Sequence, residues 1–238
     1  IDEVDPPVPW QKKTGLPYGT RLMYQAIGIF SDESAVNSYP TLVGGARPGD
    51  IIFKNVSADY AHLNPDYDDN VINAHDQILL KHTVAPDLFY GTSFDLGWKN
   101  FSLSVLLQGQ GTFYKKNFSD TRRGDEGNYF KFMYNDRWTP DNPNGSNPRP
   151  WNRDSPYWIP MENTFWWDNT AYLRLKNLML SYNIPNKYYK SVGISNINVY
   201  FTGNNLAYLY SATDKFDPEV DGVNSYPTMK TFAFGANI

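Results

Sequence analysis

The stretch LFYGTSFDLGWKNFSLSVLLQG, Leu88 to Gly109, decides the fold. Alternate residues separate into two sets. Leu88, Tyr90, Thr92, Phe94, Leu96 and Trp98 form one, and Phe89, Gly91, Ser93, Asp95 and Gly97 the other. Beyond Lys99 and Asn100, the first set resumes as Phe101, Leu103, Val105 and Leu107, the second as Ser102, Ser104, Gln108 and Gln110, with Leu106 as the exception. Side chains alternate across a strand, so this pattern predicts a hairpin with one apolar and one polar face. The apolar face meets either a protein core or a lipid bilayer.

The bulk composition narrows the choice. A net charge of −4 and a pI near 5.3 over 238 residues offer nucleic acid no electrostatic footprint. Cysteine is absent, which removes disulfides, thiolate metal sites and cysteine nucleophiles. Mean hydropathy is −0.55, and no apolar run reaches the ~18 residues of a membrane helix. A barrel strand escapes that test, because half its residues face the lumen. Aromatic residues make up 16%, an excess that suits β-sandwiches, carbohydrate binders and outer-membrane barrels, all of which set amphipathic rings at a wet boundary.

Further strands are predicted over Tyr18–Phe30, Asp50–Val56, Ala171–Pro185, Asn196–Leu206 and Lys230–Ile238, with no strong amphipathic helix between them. Residues 112–168 hold five of the seven tryptophans and are rich in Gly, Pro, Asn and Asp, which marks a long functional loop. Three features favour lipid. A spanning strand takes ~9–11 residues, and Leu88–Trp98 is that long. Long and short connections alternate, as outer-membrane barrels require: Lys99-Asn100 and 186–195 on the periplasmic side, 112–168 and 209–229 outside. The polar set carries Asp95, Gln108, Asn183 and Asn198, which a wet lumen accepts and a second dry core would not. The lipid-facing set is then Tyr90, Phe94, Leu96, Trp98, Phe101, Leu103, Val105, Leu107, Leu178, Leu180, Tyr182, Ile184, Ile197, Val199, Phe201, Phe232 and Phe234. Simple alternation also puts Arg174 and Lys176 on that side, at a strand end where long cations snorkel into the headgroups.

Seven stretches in order resemble the C-terminal part of SusC/RagA-type TonB-dependent outer-membrane transporters. They are YGTRLMYQAIGIFSDESAV, RPGDIIFKNV, the hairpin above, DRWTPDNPNGSNPRP, AYLRLKNLMLSYNIP, VGISNINVYFTGNNL, and FDPEV followed by SYPTMKTFAFGANI. The resemblance implies an all-β fold over residues 1–238: an antiparallel transmembrane β-barrel segment with long extracellular loops, supplying the last about six or seven strands of a barrel of about 22. So few strands cannot close such a barrel, so the remaining strands and the plug domain, absent from this chain, are expected as partners. It further implies a Gram-negative outer-membrane location, import of glycans or peptides, a SusD-like surface lipoprotein as lid, and TonB acting through the missing N-terminal part. None of this is enzymatic, and the chain has no G-x-S-x-G, H-E-x-x-H or P-loop motif.

Two groups of side chains are binding candidates. Trp138, Trp151, Trp158, Trp166 and Trp167 lie in or beside the longest loop, where indole faces could stack on a sugar or clamp a peptide. The run NPDYDDNVINAHDQ corresponds to a segment where the family often carries a Ca²⁺-like loop; Asp69, Asn73 and Asp76 match its ligand positions, and Asp66 and Asp68 join with a one-residue shift. Pro65 and Tyr67 stand where the first two ligands would be, so a solvated acidic turn is the competing reading. His62, His75 and His82 share no i, i+4 face and make no zinc site. The alternatives to a transporter are a soluble, aromatic-rich β-sandwich that binds carbohydrate and a small self-contained barrel.

Overall fold

The computed structural model describes residues 5–42, 45–117, 130–150, 162–222 and 225–238. Its strands are β1 (Arg21–Tyr24), β2 (Ala26–Ile29), β3 (Ile51–Phe53), β4 (Gln77–Leu80), β5 (Phe89–Trp98), β6 (Phe101–Gln110), β7 (Tyr114–Lys116), β8 (Trp167–Asn169), β9 (Tyr172–Asn183), β10 (Asn198–Ser211) and β11 (Thr231–Asn237). Helix is confined to α1 (Glu33–Asn37), α2 (Val56–Asp59), α3 (Lys131–Asn135) and short 3-10 turns. No helix among the described residues is long and apolar enough to cross a membrane, which says nothing of strands. The fold is all-β. It divides into two units, Ile1–Ala85 with Tyr114–Asp168, and Pro86–Phe113 with Asn169–Ile238.

The second unit is one antiparallel sheet in the order β11-β10-β9-β6-β5. Strands β5 and β6 pair from Phe89↔Gln110 to Trp98↔Phe101, leaving Lys99 and Asn100 as the turn. Lys99 takes φ 52, the left-handed value that matches a two-residue turn to the strands' twist. The register then builds ranks across the whole sheet. Leu96, Leu103, Leu180, Phe201 and Phe234 form one. Trp98, Phe101, Tyr182, Val199 and Ala236 form the next. Between these two, on the opposite face, run Gly97, Ser102, Ser181, Tyr200 and Gly235. One-residue slips would exchange the faces, so this hydrophobic pattern fixes the register.

The first unit is built differently. Its strands are three or four residues long, in the separate pairs β1-β4, β2-β3 and β7-β8. They enclose a core in which Met23, Phe30, Ile51, Phe53 and Ile72 are fully buried. The strand expected over Tyr18–Phe30 is two strands: at Gln25 the chain leaves β4 for β3, with the Gln25 carbonyl accepting from the Lys54 amide at 2.8 Å. The strand expected over Asp50–Val56 stops at Phe53, because the Asn55 side chain caps α2 by accepting from Ala58 N. Among the described residues, five strands join in one sheet.

Candidate functional site

The five-stranded sheet has two chemically distinct faces, and one end of it carries a buried charge cluster. On the polar face, amide side chains bridge neighbouring strands. Asn198 Nδ2 donates to Asn183 Oδ1 at 2.6 Å, Asn177 Nδ2 to Asn204 Oδ1 at 2.8 Å, and Asn204 Nδ2 to Thr231 Oγ1 at 3.1 Å. Asp95, Ser102 and Ser104 lie on the same side. On the other face the register aligns Phe94, Leu96 and Trp98 with Val105, Leu103 and Phe101. Leu178, Leu180, Tyr182, Val199, Phe201, Phe232 and Phe234 continue that face across β9, β10 and β11. Leu107 joins it opposite Thr92, and Ile184 and Ile197 lie just past the strand ends, joined by a 2.9 Å backbone bond. Tyr90 lies over Gly109 and donates its hydroxyl to the Tyr172 carbonyl at 2.8 Å; a Cβ on Gly109 would sit 2.4 Å from that carbonyl oxygen. Large rings and aliphatic chains are left open here: Trp98 is 66% exposed and Phe234 82%.

The charge cluster corrects the simple alternation. In the β6–β9 pairing, Leu106 opposes Asn177 but Leu107 opposes Leu175, so Lys176 is the extra residue of a bulge. A bulge inverts the parity of everything beyond it. Leu173 and Leu175 consequently take the apolar side, and Arg174 pairs with Gln108 and Tyr208 on the polar side. Arg174 is not in a headgroup zone: it is 2% exposed.

Around Arg174 the segment after β10 folds back. Its Nη1 donates to Glu219 Oε2 at 2.7 Å, to Tyr208 Oη at 2.8 Å and to Thr228 Oγ1 at 2.6 Å, and its Nη2 to the Asn205 carbonyl at 3.2 Å. Lys176 Nζ lies 2.9 Å from the same Glu219 oxygen. Asp217 accepts from the Tyr208 and Thr228 hydroxyls and from the amides of Glu219 and Thr228. Burial opposes ionisation of Asp217, but these hydrogen bonds outweigh it and hold its carboxyl below the ordinary carboxylate range. Two cations thus meet two anions with their hydrogen-bonding capacity largely used, which is what a buried ion cluster requires. The sequence carries its trace in FDPEV and in the Arg174-x-Lys176 spacing, but alternation without the bulge hides it.

The described tryptophans Trp138, Trp166 and Trp167 are each held in a different way. Trp166 and Trp167 are buried in the core of the first unit, where Arg21 and Lys116 lie over the Trp167 ring at 5.5 and 5.4 Å. Trp138 is half-buried, and its indole N–H donates to the Ser31 carbonyl at 3.0 Å. Trp151 and Trp158 lie outside the described residues.

The Asp-rich segment folds into caps. Asn73 and Asp76 form a capping box around the 3-10 turn Ala74–Asp76, and the buried Asp76 also accepts from the amide and hydroxyl of Ser57. Asp69 accepts from Val71 N at 3.0 Å and Asn73 Nδ2 at 2.5 Å, Asp68 from Asn55 Nδ2 at 3.3 Å, and Asp66 N donates to Asn64. Among the described residues no three Asp, Glu or His side chains gather as metal ligands would.

No family model matches the chain. Two curated relatives do, both from Formosa agariphila. TonB-dependent receptor P26 is 31% identical over 215 residues, covering 84% of this chain and 20% of the relative. TonB-dependent receptor P3 is 26% identical over 242 residues, covering 95% of this chain and 22% of the relative. Among solved structures, the RagAB peptide transporter superposes with a TM-score of 0.60 at 22% identity, over 91% of this chain and 22% of that one. The RagAB peptide importer in its open-open state gives a TM-score of 0.58 at 22% identity, over 90% and 22%. The chain therefore spans about a fifth of the length of the relatives it matches. The ordered motifs, the named relatives and the shared fold identify it as a fragment of a SusC/RagA-type TonB-dependent receptor.

Proposed function

We propose that the five-stranded sheet is a sector of an outer-membrane barrel wall, near its C-terminal end, in a receptor that imports glycans or peptides. The observation that carries this reading is the two-faced register. The rank Leu96, Leu103, Leu180, Phe201 and Phe234 crosses all five strands, and Phe94, Leu96, Trp98, Phe101, Leu180, Val199, Phe232 and Phe234 on that face are exposed, while the opposite ranks are mostly polar. A contiguous apolar face of this kind needs a cover, and strands of ten to fourteen residues in β5, β6, β9 and β10 have the length to cross a bilayer. The unpaired outer edges of β5 and β11 would be closed by the remaining strands of a barrel of about 22. In this reading the Asn ladder faces a wet lumen, and the Arg174 cluster fixes an extracellular loop at the barrel rim. A SusD-like lipoprotein would present cargo from outside, and TonB would drive a plug supplied by the rest of the receptor.

Cysteine scanning tests the wall directly, since this stretch holds no native cysteine. In the full-length receptor in outer membranes, Asp95→Cys should react with a membrane-impermeant maleimide and Phe94→Cys should not. Equal labelling of both would defeat the lipid assignment, and a soluble carbohydrate-binding sandwich would then lead. Deleting the receptor gene should abolish uptake of the cargo; unchanged uptake would defeat the import reading.

A further inference from the structure

In the first unit an open cleft of about 480 Å³ lies beside β2, lined among others by Gly28, Ile29, Ser31, Asn144, Ser146 and Phe165. That volume falls in the range of ligand sites, about 300–1,000 Å³. Strand β2 pairs with β3 along one edge, and among the described residues no strand pairs with the other. The backbone of Phe30 faces β3: its N–H donates to Asp50 O at 2.9 Å and its carbonyl accepts from Gly49 N at 2.7 Å. Antiparallel ladders alternate, so the N–H and C=O of Ile29 face the opposite way, towards the cleft that Ile29 lines.

The protein itself shows how this edge is used. The segment 162–164 runs parallel to the end of β1, bridging at Tyr24↔Asn163, and reaches the start of β2. Tyr24 N donates to the Glu162 carbonyl at 3.0 Å, and Ala26 N to Thr164 Oγ1 at 3.0 Å. The chain then enters the 3-10 turn Thr164–Trp166 and departs, and among the described residues the edge is left open at Ile29. The far wall is preformed. Trp138 N donates to Asn147 O at 2.7 Å, Ser146 Oγ to Asp136 at 2.5 Å, the Trp138 indole to Ser31 O, and Arg149 Nε to the buried Asp50 at 2.9 Å.

We propose that this cleft binds an extended peptide, whose backbone adds to β2 as a further strand. The lining is hydroxyl, amide, aliphatic and one phenyl ring, with no charged side chain among its described residues, so it suits a neutral main chain. A sugar site would be expected to offer a flat indole or phenol, and the described lining holds neither. The inference requires only the folded first unit and is independent of the wall assignment.

The test is fluorescence anisotropy on the detergent-solubilised full-length receptor. The probe is a labelled neutral peptide of alternating Ala and Thr, compared with a twin N-methylated at every second amide. The proposal expects saturable binding of the first, weakened by about tenfold or more in the twin, since N-methylation removes the donors of strand addition. Asn144→Trp, which places an indole at the cleft wall, should weaken the first peptide comparably while leaving the circular dichroism of the receptor unchanged; if that variant misfolds, the N-methylated twin on the native receptor decides. Equal binding of both peptides, no binding at about 1 mM, or displacement by a neutral oligosaccharide each overturns it.

Discussion

The two units dispose of similar aromatic-rich sequence in opposite ways. In the first, short strands turn inward, and Met23 and Ile51 are 0% exposed. In the second, long strands leave Phe94, Leu96, Trp98, Phe232 and Phe234 open on one face. The first unit therefore buries a core of its own, although Tyr18, Ile27, Leu63 and Val84 stay exposed. The second pairs its inner strands with one another, but depends on its surroundings to pair the outer edges of β5 and β11 and to cover one face. Buried chemistry in the second unit is concentrated at the end of the sheet, around Arg174.

That cluster is where the comparison is most easily broken. Glu219→Ala leaves Arg174 and Lys176 without their shared carboxylate in a buried place, a loss of about 3–5 kcal/mol. Hydrogen exchange at the Thr228 amide, which bonds Asp217, should accelerate by about a hundredfold or more, while the amides of β5 keep their protection. Unchanged exchange at Thr228 would mean the ion cluster does not hold the loop. Acid should act on the same loop through Asp217. Its folded pKa is lowered, so its contribution is complete above the ordinary carboxylate value of about 3.9 and is lost only as pH falls through the lowered folded value. The loop should stay protected through mildly acid pH and release below that window; release near neutrality would contradict the arrangement.

A paired substitution sharpens the contrast between the units. Ile51→Ala empties a fully buried site and should cost about 2–4 kcal/mol of the first unit's stability, read by hydrogen exchange of β3. Leu96→Ala removes a similar side chain from the open face. In lipid or detergent it should move exchange in β5 by about 0.5 kcal/mol or less, because lipid replaces the lost contacts. If Leu96→Ala cost as much as Ile51→Ala, the open face would be covered by protein.

These contrasts were unevenly legible. The hairpin could be read residue by residue, because alternation over β5 and β6 is broken only at Leu106 and Lys99-Asn100 leaves one turn length. Strand β9 was legible in position but not in facing beyond Lys176, since a bulge adds one residue without any composition signal. The clustering of Arg174, Asp217, Glu219 and Thr228 was hidden for a different reason: it depends on a chain reversal after β10, whereas periodicity reports only local structure. In the first unit, apolar runs at Tyr18–Phe30 and Asp50–Val56 resemble sheet strands. Their breaks are set by tertiary bonds at Gln25 and by the Asn55 cap, and only the second leaves a local trace.

The smallest expected effect separates two uses of one residue. Asn73 occupies a ligand position in the Ca²⁺-like reading of the Asp-rich run, and in the structure it caps a turn. Its Oδ1 accepts from His75 N at 2.8 Å, while its own N–H donates to Asp76 at 2.8 Å. A cap contributes about 1 kcal/mol whatever the solvent holds. A calcium ligand contributes through the bound ion, so its removal matters only when the ion is present above its dissociation constant. Asn73→Ala should therefore lower the stability of the first unit by the same amount, about 1 kcal/mol, in calcium and in chelator, measured by hydrogen exchange at His75 and Asp76. A loss seen in calcium and abolished by chelator would assign the residue to an ion, and the caps would then be the ion-free form of that loop.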